Sequence, residues 1–151
     1  MAHTPVNHPA RPIYRAIGGL TGLYLVVFGG IGIIASTGDP FFGQVDTQIL
    51  GQGTNLAFSL LSALVGALVL AGTVLGRNLD VLVNQWMAYL LMVVSLAGLA
   101  FIRTEANIFN LSVATVIVLM VLSMVLLMAG MYGKVGTDEE NEAWQKARLV
   151  L

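Results

Sequence analysis

The chain contains no cysteine, which excludes disulfides, thiolate metal sites, iron-sulfur clusters and cysteine nucleophiles. It has only two histidines, His3 and His8, both ahead of the first apolar run, so no histidine pair can clamp a haem between helices. Charge is equally scarce: 10% of the 151 residues are Asp, Glu, Lys or Arg, against about 25% in soluble domains. That supply cannot cover a water-exposed surface. A formal net charge of -1 leaves no basic excess to neutralise phosphates, so a nucleic-acid partner is not expected.

What fills the chain instead is apolar sequence, 57% of all residues. Four stretches are free of charge and long enough to cross a hydrocarbon core of about 30 Å at about 1.5 Å per helical residue. They run from Ala16 to Gly38, from near Asn55 to Gly76, from Val81 to Ile102 and from Ala106 to Gly133. The segment Thr47-Gln48-Ile49-Leu50-Gly51-Gln52-Gly53-Thr54 is too rich in Gly and polar groups to face lipid and belongs to a loop. Strand-like windows such as Leu23-Tyr24-Leu25-Val26-Val27-Phe28 lack the in-out alternation of a transmembrane barrel, whereas helices satisfy their own backbone groups in lipid. Arg11 and Arg15 before the first run imitate a secretory signal, but the run is long and Ala35-Ser36-Thr37 is a poor cleavage site, so the segment is read as retained. The expected fold class is all-α, an integral membrane antiparallel four-helix bundle. Its parts are a short flexible tail over residues 1–12, a transmembrane domain over 13–133 with an outer loop at 38–54, and a C-terminal segment over 134–151.

With both termini cytoplasmic, that face carries Arg11, Arg15, Arg77, Lys134, Lys146 and Arg148, and the opposite face only Arg103. This bias orients the bundle by the positive-inside rule, in a plasma or inner membrane. In the C-terminal segment Thr137 and Glu140 form a capping-box pair, and Trp144, Ala147 and Leu151 share one face of a short helix that can dock on lipid or protein, the alternative being a frayed, solvated tail. Trp144 would pin the tail. In the outer loop Phe41 and Phe42 flank a Pro and Gly turn and are candidates for contact with a partner surface or the membrane interface. Arg103 with Glu105 reads as a turn salt bridge or as an arginine–carboxylate contact with a partner, and Arg77 with Asp80 reads as a turn salt bridge.

The spans so drawn hold no ionisable group, so proton-coupled transport has no obvious acid and no catalytic constellation can be assembled. Met120, Met124, Met128 and Met131 lie at helical spacing, which suits adaptable apolar packing better than copper ligation. The positive signal is small residues: Gly18, Gly22 and Gly29 on the first span, continued by Gly32 and Ser36, and Ser59, Ala63, Ala67 and Ala71 on the second, flanked by Ser62 and Gly66. Such faces let membrane helices approach closely, within the chain or against a partner. Arg11, Arg15 and Arg77 are candidates for contact with anionic phospholipid headgroups, cardiolipin among them.

A His8-Pro9 tail leading to Arg15, a Gly-rich first span, an outer loop, and Asn55-Leu56 opening a span with Leu64-Val65-Gly66 together resemble the small four-span membrane proteins common in actinobacteria. Many of those carry a histidine shortly after that asparagine, where this chain reads Leu56-Ala57-Phe58-Ser59. Within that group the chain is similar to accessory subunits associated with the aa3 oxidase part of the mycobacterial cytochrome bcc-aa3 supercomplex. The resemblance implies a non-catalytic subunit that binds no cofactor itself, haem and copper lying in partner subunits, and that supports assembly or stability. The alternatives are a stand-alone small transporter, for which Asn84 and Gln85 are the main polar material, and a lipid-organising protein.

Overall fold

The computed structural model describes residues 5–148, with the side chain of Arg148 excepted. Four long helices are each apolar enough to cross a membrane: α1 (Arg11–Ala35), α2 (Leu56–Leu75), α3 (Leu79–Phe101) and α4 (Val113–Tyr132). The protein is thus an all-α, multi-pass membrane protein. A fifth, polar helix, α5 (Asp138–Arg148), follows them, and two-residue strands β1 (Gln48–Ile49) and β2 (Gln52–Gly53) form a small hairpin in the long loop.

The helix ends follow local chemistry. Pro12 sits in the first turn of α1, where no amide donor is needed. Asn55 caps α2 by accepting from the Phe58 amide at 3.0 Å, and Gly76, at φ 62°, ends it. Ser112 and Thr115 form a capping box at the start of α4. The fourth span therefore begins at Val113 rather than Ala106. The intervening residues are apolar enough for a span, but Asn107 and Asn110 spend their side chains on backbone groups of the loops, which a continuing helix would forbid.

α1 packs on α2 through glycine. A β-carbon at Gly29 would fall 2.5 Å from both the Ser59 carbonyl oxygen and the Ala63 amide nitrogen, and one at Gly22 would fall 3.0 Å from the Gly66 carbonyl oxygen. Gly32 lies directly against Ser59. These pairings, rising in α1 as they fall in α2, make the two helices antiparallel. α3 and α4 form the second antiparallel hairpin, with Gly98 against Val116 near one end and Gln85 against Gly130 near the other. The core between the hairpins is Leu25, Phe28, Phe58, Val65, Val69, Ala88, Leu91, Val116, Leu119 and Leu126.

Candidate functional site

Each end of the apolar core is closed by a polar cluster. At the end carrying the chain termini, α1 supplies Arg11 and Arg15 and α3 supplies Asp80 and Asn84, each pair one helical turn apart. Asp80 and Asn84 are both only 2% exposed. Asp80 Oδ2 lies 3.4 Å from Arg11 Nη2 and 4.0 Å from Arg15 Nε. Arg11 also donates from Nε to the Gly133 carbonyl at 2.9 Å. Arg15 donates from Nε to the Thr73 carbonyl at 2.8 Å and from Nη2 to the Thr73 and Val74 carbonyls. The two arginines thus satisfy carbonyls at the C-terminal ends of α2 and α4, where the helix dipole favours a cation.

The Arg77–Asp80 turn pair expected from sequence is replaced by this arrangement. Arg77 takes a left-handed φ of 53° and is exposed, while Asp80 turns into the bundle toward α1. Asp80 also lies in the first turn of α3, where a carboxylate faces the positive end of the macrodipole. The third span therefore contains an acid, one residue ahead of the Val81 start expected from sequence. Asn84 fits there because α1 presents Gly18, whose absent β-carbon would stand 2.8 Å from Asn84 Nδ2.

Residues 5–10 are docked, not a loose tail. Asn7 donates from Nδ2 to the Gly136 carbonyl at 3.1 Å and accepts the Gly136 amide at 3.2 Å. Asn78, at φ 66°, holds both backbone groups of Val135 in the same way, at 2.7 and 2.8 Å. The His8 ring packs against Tyr14 and Tyr132, whose own rings stack at 5.2 Å. His3 lies outside the described residues. In α5, Thr137 caps the Glu140 amide at 3.2 Å, Glu140 lies 3.9 Å from Lys134, and Trp144 is half-buried. Leu151, expected on the Trp144 face, lies outside the described residues.

At the opposite end, asparagines stitch the 38–54 loop to the 102–112 loop. Asn55, fully buried, donates to the Gly43 and Ile108 carbonyls at 3.2 and 2.8 Å. Asn110 donates to the Val45 and Thr54 carbonyls at 2.5 and 2.9 Å. Thr115 donates to the Gly53 carbonyl, and Gln52 to the Tyr24 hydroxyl. The sequence signal for this clasp is the set of asparagines at the loop ends, Asn55, Asn107 and Asn110; its pairings, across 12 to 65 residues, carry none.

Of the small residues, Gly22, Gly29, Ser59 and Ala63 meet at the α1–α2 contact, and Gly18 meets Asn84 instead. Ala67 and Ala71 are exposed on the outer side of α2. Phe41 and Phe42 are exposed and stacked edge to face at 4.6 Å, and Leu50 at the hairpin tip is exposed as well. Arg103 and Glu105 are both exposed and form no ion pair among the described residues. An apolar cavity of about 280 Å³ opens between α3 and the 102–111 loop, lined by Val93, Ala97, Gly98, Phe101, Ile108 and Leu111. Among the described residues, no group of three His, Asp or Glu is placed to hold a metal. Neither a protein-family model, a curated protein nor a solved structure matches the chain.

Proposed function

We propose that this protein is a non-catalytic accessory subunit of a respiratory membrane complex of the cytochrome bcc-aa3 oxidase kind. It would sit in the plasma (inner) membrane with both termini cytoplasmic and act by contact. The observation that carries the reading is the closed middle of the bundle: Leu25, Phe28, Val65, Val69, Leu91, Val116, Leu119 and Leu126 are all at most 2% exposed and separate the two polar ends. A packed apolar layer gives a polar solute no route through. What the protein offers outward is apolar surface: Trp86, Tyr89, Val93 and Leu96 along α3, Phe41, Phe42 and Leu50 at the loop end, and the cavity beside Gly98. The choice of a respiratory partner rests on the sequence resemblance, and phospholipids, cardiolipin included, would fill the remaining contact.

A second reading, a stand-alone small transporter, draws on the buried Asp80 and Asn84. The test between them is a mild-detergent pull-down of a tagged copy from its native membrane, with mass spectrometry and a haem absorbance spectrum of the eluate. Recovery with cytochrome subunits and their haem signal supports the accessory subunit. Recovery alone or as a homo-oligomer overturns it and moves the weight to transport.

A further inference from the structure

Asp80 and Asn84 stand four residues apart on the inward face of α3, a spacing at which β-carbons are about 5–6 Å apart and one small group can reach both side chains. Asp80 Oδ2 is turned to the arginines, but Asp80 Oδ1 and Asn84 Oδ1 are buried acceptors with no hydrogen-bond partner among the described residues. The Asn84 amide occupies the space that a side chain at residue 18 would need, its Nδ2 and Oδ1 2.8 and 3.4 Å from where a β-carbon of Gly18 would stand. Two buried acceptors without donors each carry a desolvation penalty, which ordered water ordinarily removes.

We propose that Asp80 and Asn84 together hold one buried water molecule, donating one O–H to Asp80 Oδ1 and the other to Asn84 Oδ1. The count matches: two acceptors lack a donor, and water brings two. Charge selects a neutral occupant over a metal cation. Two guanidinium groups lie within 4.0 Å of the single carboxylate, so the cluster already carries an excess positive charge that a sodium ion would enlarge. Half-buried Arg11 and Arg15 border the site at the termini end, and the apolar layer beginning at Leu25 and Leu91 closes it beyond. The water solvates Asp80, which keeps both arginines turned inward onto α2 and α4. This assignment is independent of the partner of the protein.

The test is infrared spectroscopy of the full chain in phosphatidylglycerol–phosphatidylethanolamine nanodiscs, compared in ordinary and ¹⁸O-labelled water. A water O–H stretching band that shifts with the isotope is expected in the wild type. It should shift in Asp80→Asn, which weakens the acceptor from a carboxylate to a neutral amide, and vanish in Asn84→Leu, which removes the other acceptor. The wild-type spectrum should be the same in sodium, potassium and choline chloride. A band left unmoved by both substitutions, or a carboxylate band that moves between sodium and choline, overturns the proposal, the latter in favour of a cation. If Asn84→Leu does not fold, the nearly isosteric Asp80→Asn decides alone. If neither folds, a high-resolution density map of the wild type decides: a peak between the two oxygens supports the water, and a direct Asn84–Asp80 hydrogen bond with no peak overturns it.

Discussion

Gly29 brings its α-carbon so close to Ala63 that a β-carbon would sit 2.5 Å from the Ala63 amide nitrogen, a backbone atom that no side-chain rotation can move. Gly30, one residue on, has nothing within 4 Å of the same imagined atom. The two positions differ only in which face of α1 they occupy, and they make the helix contact measurable by its smallest perturbation.

Gly29→Ala should force α1 and α2 apart and destabilise the protein by about 1–3 kcal/mol, the usual range for overpacking. Gly30→Ala should be neutral or stabilising by up to about 1 kcal/mol, since it exchanges glycine for the best helix former without a clash. Thermal unfolding of both variants in one detergent checks this. Equal effects would show that glycine content, and not the α1–α2 contact, is being measured.

Arg15→Ala should destabilise far more than Arg77→Ala. Arg15 serves the part-buried Thr73 carbonyl and the exposed Val74 carbonyl and faces buried Asp80, and its loss leaves Thr73 and Asp80 each short of a donor, a cost of about 1–3 kcal/mol. Arg77 is exposed, so its removal should change stability by no more than about 0.5 kcal/mol. Lipid binding offers a second readout. Arginines engaged with the bundle cannot also be main headgroup ligands, so Arg77→Ala should weaken association with cardiolipin more than Arg15→Ala does in any variant that stays folded. The reverse order would return Arg15 to the lipid role read from sequence.

How far the sequence carried the fold depends on which atoms decide each feature. The ends of α2 were legible because Asn55 and Gly76 act on their own neighbours. The start of α4 was not, because residues 106–112 are apolar like a span while Asn107 and Asn110 bind loop backbone; apolarity marks what tolerates lipid, not what is helical. The small-residue face was legible at Gly22, Gly29, Ser59 and Ala63. A periodicity of four drifts around a helix with 3.6 residues per turn, however, and by Ala67 and Ala71 it had carried the ladder out of the contact. Proximity in the chain points Asp80 to Arg77, whereas its partners are 69 and 65 residues away.

Asn55→Ala should loosen the loop end as a unit. It removes the cap of α2, worth about 1 kcal/mol, and leaves the Gly43 and Ile108 carbonyls without their donor. The expected outcome is proteolysis in the 38–54 loop at a protease concentration that leaves the wild type intact, with the α1–α2 hairpin still formed. Asn110→Ala should reproduce the cleavage without affecting the α2 cap, because it releases Val45 and Thr54 only. If neither variant is cut faster, the clasp does not hold the loop.

The absence of cysteine makes the orientation of the bundle directly testable, since any introduced thiol is the only one in the chain. Leu50→Cys places it at the exposed hairpin tip, at the end opposite the termini, and Glu142→Cys places it on the exposed side of α5. With six of seven Lys and Arg on the termini side, the positive-inside rule puts that side in the cytoplasm. A membrane-impermeant maleimide applied to intact cells should therefore label Leu50→Cys and spare Glu142→Cys until the membrane is opened. The opposite pattern would invert the bundle. Phe41, Phe42 and Leu50 would then face the cytoplasm, and any partner they dock against would have to be sought on that side.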